Sequence, residues 1–289
     1  MSNNYTGRQI AIFADVHGLY YPLKSVLEDI KNRGIKEIYS LGDNIGVGPN
    51  PKEVLELLDK YKVVSLLGNN EEYSILGIEP FSIYFDEKKT ENQLWTHNKL
   101  TKEDIGKISK NKHSLDLLVG GKKIGLCHFA SDVRFDFVKH NIWGYFDAIK
   151  NKVKNPQKQF YYTNSVYQKR LVDKKSKSDL PKDRGYVSAK KDPLFGGKKI
   201  DYYDEIIEGH AHFKLMTEDK RVKVRTIRAL AMAYENNLVD RAYYIIIKEK
   251  KHGYDIDEIL VPFDRKAMNK SIDESDMPDK KIINKYTSR

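Results

Sequence analysis

Residues able to hold a metal or move a proton recur at one kind of place in this sequence. Asp15 and His17 follow the apolar run from Ile10 to Ala14, Asp43 follows 37-EIYSLG-42, and Asn69 follows 62-KVVSLLG-68. His128 follows 115-LDLLVGGKKIGLC-127, and His210 and His212 stand in 206-IIEGHAHF-213. A core strand that ends in a carboxylate and an imidazole leaves polar groups near the interior, which is costly unless something pairs with them. A metal ion pairs with them. Singly these signals are weak, because Gly-Asp and Gly-Asn are turn dipeptides and a lone histidine after a strand is more often a hydrogen-bonded neighbour than a ligand. Their conjunction carries the reading: seven oxygen and nitrogen donors at strand ends, where open α/β sheets place their sites. Imidazole, carboxylate and amide donors suit Mn, Fe, Zn or Ni, with Mn or Fe favoured, over Ca or a thiolate-bound ion.

The elements that must position these donors are legible from periodicity. After the first strand, Leu23, Val26, Leu27 and Ile30 recur at helical spacing before Gly34. The second strand precedes a helix opened by Asn50 and Pro51, with Glu53 at the capping-box position and Val54, Leu57 and Leu58 facing inward. A third strand over 62–69 completes a parallel βαβαβ unit. Residues 72–114 read as polar and mostly helical, with short helices over 90–100 and 101–108, the second capped by Thr101 and Asp104. Gly120-Gly121 signals a hairpin and Gly253 a second one within 242–262, so the second half of the fold is expected to be antiparallel.

In chain order, DVH (15–17), GDN (42–44), GNNE (68–71), CH (127–128) and GHAH (209–212) resemble the five motifs of the calcineurin-like metallophosphoesterase family. The stretch 42-GDNIGVGPNPKEVLELL-58 more loosely resembles the bacterial branch of small phosphodiesterases and diadenosine tetraphosphate hydrolases. The resemblance implies an α/β fold: a four-layer αββα sandwich of two mixed sheets flanked by helices, with a cap-like insertion. It implies a single domain over 1–275 interrupted at about 131–203, and a tail over 276–289. It further implies two divalent or trivalent ions, one held by Asp15, His17, Asp43 and His212, the other by Asp43, Asn69, His128 and His210, with Asp43 bridging. On an extended segment, His210 and His212 would project to the same side and reach different ions, with Ala211 turned away.

The implied activity is hydrolysis of a phosphate ester or anhydride by in-line attack of a metal-bridging hydroxide, on a phosphorylated small molecule such as a nucleotide or dinucleoside polyphosphate. A protein phosphatase, a nuclease or a catalytically inactive metal-binding scaffold of the same fold stay open. Asp43, Asn70 and Glu71 are the catalytic candidates. Asn70 departs from the family pattern, which has a histidine there that aids the leaving group, and this favours substrates with good leaving groups. Arg134 and Asn44 are candidate substrate contacts. The aromatics Trp143, Tyr145, Phe160, Tyr161 and Tyr162 could stack on a base, although packing onto the core is the commoner role. Arg225 and Arg228 read as structural, and His97, His113, His140 and His252 as surface residues.

The formal charge of +10 fits general surface composition better than a nucleic-acid groove and favours an anionic substrate. No apolar stretch is long enough to span a bilayer, no secretory h-region opens the chain, and Cys127 stands alone. A cytoplasmic protein without membrane partners is the expectation, its oligomeric state open. P-loop and dinucleotide-binding glycine motifs are absent. The glycines of 46-GVGPN-50 read as backbone passing close to the metal loop.

Overall fold

The computed structural model describes residues 5–78, 86–129, 203–212, 214–219, 222–232, 240–281 and 283. Ten strands lie among them: β1 (Tyr5–Phe13), β2 (Glu37–Ser40), β3 (Val64–Ser65), β4 (Ser114–Val119), β5 (Lys122–Cys127), β6 (Glu205–Glu208), β7 (Leu215–Asp219), β8 (Val222–Thr226), β9 (Arg241–Lys250) and β10 (Tyr254–Pro262). The helices are α1 (Tyr20–Asn32), α2 (Pro51–Lys60), α3 (Asn69–Leu76), α4 (Glu87–Lys99), α5 (Lys102–Ile108) and α6 (Arg265–Glu274). One sheet has the order β10-β9-β1-β2-β3 and the other β4-β5-β6-β8-β7.

Strand alternation divides the interior in two. From β1 and its end, Ile10, Ile12 and Ala14, and from β9, Tyr243, Ile245 and Ile247, meet Val119, Ile124, Leu126 and Ile207 of the second sheet. The intervening Ala11, Phe13, Ala242, Tyr244 and Ile246 face the buried stripes of α1, α2 and α6. Each large aliphatic or aromatic side chain so buried contributes about 1.5–3 kcal/mol. Two mixed sheets flanked by helices therefore form the sandwich expected from the sequence. Nearly all of the 131–203 insertion lies outside the described residues.

β1, β2 and β3 pair in parallel, as the βαβαβ reading requires, but β3 is only two residues long. The first hairpin turns at Gly120 and Gly121, with φ of 55° and 78°, between Val119 and its partner Lys122. The second turns at Gly253. The expectation of an antiparallel second half needs correction, because β5 pairs parallel to β6 and β6 parallel to β8. A long crossover joins β5 to β6, and it has the length that parallel pairing demands.

Thr101 and Asp104 form the expected capping box of α5. Asn50 does not cap α2; its Oδ1 accepts the Ser271 hydroxyl at 3.3 Å and ties α2 to α6. Two helices are absent from the sequence reading. Glu71 and the Gly68 N–H define the start of α3, and Asp264, accepting the Ala267 N–H at 2.9 Å, starts α6, whose Met268 and Ile272 are buried. Within the tail expected over 276–289, Met277 and Ile283 are buried in the α1/α2/α6 core. Among the described residues no helix is long and apolar enough to cross a membrane.

Candidate metal centre

At three strand ends, those of β1, β2 and β6, the candidate donors sit in unusual backbone. Asp15, His17, Asp43, His210 and His212 all adopt left-handed backbone, with φ between 51° and 65°. Such a conformation costs a non-glycine residue about 1–3 kcal/mol and persists only where the surroundings over-determine it. Here they do. The β1 and β2 ends are zipped together by Asp15 N–H to Gly42 O (3.0 Å), His17 N–H to Asp43 O (2.9 Å) and Gly18 N–H to Asn44 O (2.8 Å). The loop after β6 is tied to the same place, its His210 N–H donating to Asp15 Oδ2 at 2.9 Å. Close approach does the rest: a Cβ on Gly48 would lie 2.3 Å from His17 O, and one on Gly68 would lie 2.3 Å from Asp43 Oδ1.

Two groups of donors result, Asp15 with His17 and His212, and Asp43 with His128 and His210. Asp43 Oδ2 lies between them, 3.8 Å from His17 Nε2 and 3.5 Å from His128 Nε2. Asn69 Oδ1 is 3.2 Å from His128 Nε2 and joins the second group. His210 and His212 serve different groups, yet not by alternation along an extended segment as the sequence suggests. Both are left-handed, and the turn of the loop rather than strand geometry separates them.

The protonation pattern follows from the partners. A carbonyl only accepts, so Nδ1 of His128 (3.0 Å from Leu41 O) and Nδ1 of His212 (3.2 Å from Met232 O) carry the hydrogens. That directs the Nε2 lone pairs inward, the orientation in which outer contacts prepare imidazole for a metal. His212 Nε2 meets His17 Nε2 at 2.9 Å, and His128 Nε2 meets the acceptor Asn69 Oδ1 and His210 Nδ1, each at 3.2 Å. Acceptors converging at 2.9–3.9 Å match neighbouring ligands on one ion whose bonds are about 2.0–2.2 Å long.

Charge makes the same argument. Burial holds the His17 imidazole neutral, its pKa lowered to about 3. Burial, and the Asp15 carboxylate beside it, push Asp43 up to about 7, while Asp15, despite burial, is held below its ordinary value by the imidazoles of His212, His128 and His17. Two buried carboxyl groups this close repel each other once both are ionised, and a cation between them would relieve that cost. The donors present fit a pair of ions.

The other predicted site residues lie close by in different roles. Asn70 is buried, its N–H on Asp43 Oδ1 at 2.8 Å and its Nδ2 on Asp43 Oδ2 at 2.6 Å. It faces the candidate ligand Asp43 as a hydrogen-bond donor. The Glu71 carboxylate accepts the N–H groups of Gly68, Asp43 and Asn44 at 2.7–2.8 Å and clamps the two loops together. Asn44 is buried, with Oδ1 accepting the Ser40 hydroxyl. Arg134, His140 and the insertion aromatics lie outside the described residues. Arg225 pairs with Glu205 (2.6 Å) and Arg228 with Glu258 (2.8 Å), the structural roles expected. His113 is not a free surface residue, for it pairs with the buried Glu72 at 2.8 Å, and His97 accompanies Ser74 O. Cys127 is buried. Sequence reasoning missed Gln93, whose Nε2 donates to Asn70 Oδ1 at 2.7 Å. The available signal was Asn92 and Gln93 on a polar helix next to a motif loop.

No family model matches the chain. An uncharacterised protein of Methanocaldococcus jannaschii is 36% identical over 119 residues, 41% of this chain, and the match spans about half (48%) of that relative's length. A hypothetical protein from Pyrococcus horikoshii OT3 shares the fold with a TM-score of 0.62 at 14% identity, over 97% of this chain and 98% of that one. A metallophosphoesterase from Sphaerobacter thermophilus does so with a TM-score of 0.58 at 15% identity, over 98% and 99%.

Proposed function

We propose that this chain, which has the fold of the Sphaerobacter metallophosphoesterase, is a metal-dependent phosphoesterase of the calcineurin-like family with a dinuclear centre. The observation that carries the proposal is the pair of donor groups placed either side of one carboxylate oxygen, Asp43 Oδ2. Asp15, His17 and His212 would hold one ion, and Asn69, His128 and His210 the other, with Asp43 shared. When bound, such a pair supplies Lewis-acid charge at phosphorus and a nucleophilic water at neutral pH, and Mn or Fe suits these ligands.

The residues themselves define the rest. Asn70, donating to Asp43 with both its backbone and side-chain N–H groups, has no proton to give a departing oxygen at neutral pH. Substrates whose leaving group departs as a stable anion are therefore favoured: aryl esters, activated diesters and anhydrides, including nucleotides and dinucleoside polyphosphates.

Stripping the protein with a chelator should abolish hydrolysis of bis-p-nitrophenyl phosphate, and reloading with Mn should restore it at two ions per chain. Asp43→Ala should lose both turnover and the second ion. Activity that survives complete metal removal would refute the proposal. Alkyl phosphates should be cleaved about 10²–10⁴-fold more slowly than aryl ones, the usual contribution of a general acid; equal rates would show that another residue supplies the proton.

A further inference from the structure

We infer that Gln93, on α4 and outside every motif of the site, is a positioning residue that fixes the Asp43 carboxylate between the two donor groups by setting the orientation of the Asn70 amide. The inference rests on the dinuclear reading above. Asp43 only accepts hydrogen bonds, so Asn70 must turn its NH2 toward it, and at 2.6 Å from Oδ2 it does. This leaves Asn70 Oδ1 facing away, against the backbone of the Gly46 loop, where a Cβ on Gly46 would come within 2.4 Å of it. That oxygen needs a donor. Gln93 Nε2 supplies it at 2.7 Å.

The chain of polarity runs one way, from Gln93 to Asn70 to Asp43, and reversing either amide sets two acceptors against each other. Gln93 is 2% exposed, and its own Oε1 is buried with no hydrogen-bond partner. An orphaned buried acceptor is destabilising. An apolar side chain of equal size would avoid that penalty, so packing alone does not account for a glutamine here; a requirement for the donor does. The neighbouring Asn92 locks the same loop, accepting the Val47 N–H at 3.0 Å and donating to Val47 O at 3.1 Å. α4 thereby holds the loop and the amide together.

The two ions should not suffer equally when this link is cut. The group of Asp15, His17 and His212 has its own carboxylate, whereas Asp43 is the one carboxylate of the group with His128 and His210. The experiment is a calorimetric titration of metal-free full-length protein with Mn, read together with the electron paramagnetic resonance of the bound Mn. Gln93→Met keeps the volume and removes the donor. It should retain the first ion within about twofold and weaken the second about tenfold, the lower end of what outer contacts contribute to a metal site. The spin-coupled pair signal should give way to that of isolated Mn. Gln93→Leu, which also removes the donor and cannot regain one by taking up a proton, should do the same and serves should the methionine variant not fold. Thr96→Val, at a buried position one turn along the same helix, should bind both ions as wild type does. Wild-type affinity for both ions in either Gln93 variant, or an equal loss in Thr96→Val, overturns the inference while leaving the dinuclear reading intact. A wild-type protein that binds no pair of ions overturns both.

Discussion

Glu71 shows how far the surroundings of a single side chain can change its role. Desolvation and the neighbouring Asp43 charge outweigh three backbone N–H bonds and raise its pKa to about 7, and burial with the Asp15 charge raises Asp43 to about 7 as well. Both groups therefore hold protons in the metal-free folded state that the unfolded chain releases near 3.8 and 4.5. Between those values and about 7 the folded state binds more protons, so its stability falls as pH rises. His17 has the opposite sign. It is lowered to about 3 from 6.5, so the unfolded chain binds the extra proton in that window and stability rises with pH. One of the two falling contributions is thus offset up to pH 6.5, and the net decline is steepest from there to about 7. Urea midpoints of the chelated protein should be lower at pH 7.5 than at pH 5. Saturating Mn should reverse the order, because the deprotonated carboxylates are the binding form. A pH-independent midpoint without metal would show that these carboxyls are already ionised.

At the level of elements, the site is made by loops held at strand ends, and its tolerance to change depends on backbone spacing. Gly68 precedes α3, with Asp43 Oδ1 and Asp43 N at 2.3 and 2.5 Å from a would-be Cβ. Gly68→Ala must push the Asp43 loop aside and should weaken Mn binding by about tenfold or more. Gly106, inside α5, meets nothing within 4 Å. Gly106→Ala should stabilise the protein by about 0.5–1 kcal/mol through helix propensity and leave Mn binding unchanged. Calorimetry and thermal unfolding on the two variants separate site geometry from helix stability, and equal Mn affinity in both would deny Gly68 its role. Helices with strong local signals, α1 and the Thr101–Asp104 capping box of α5, were readable in the sequence. α3 and α6 were not, because their apolar stripes are short and their partners lie far away in the chain.

Across the whole molecule, Met277 and Ile283 close the helical layer. Met277 and Ile283 enter the core formed by α1, α2 and α6, while Asp276 receives the Trp95 indole N–H at 3.1 Å and pairs with Lys99. Ile283→Ala should cost about 2–5 kcal/mol, the usual penalty for emptying a buried aliphatic position, seen as a lower urea midpoint at constant slope. A change below about 0.5 kcal/mol, the range of ordinary surface substitutions, would place this segment outside the cooperative unit.

The sequence by itself determined the donor residue types, the strands whose ends carry them and the continuous apolar run that buries β1 on both faces. These follow from local chemistry: side-chain type, period and turn residues act over a few positions. Only the tertiary structure decided that five of the donors sit in left-handed backbone, that Glu71 and Asn44 turn inward, and that Gln93 reaches Asn70. Those outcomes depend on which loops come within hydrogen-bonding distance. That is set by the packing of two sheets and a helical layer, whose contacting residues, such as Ile10 and Ile247, lie more than two hundred positions apart.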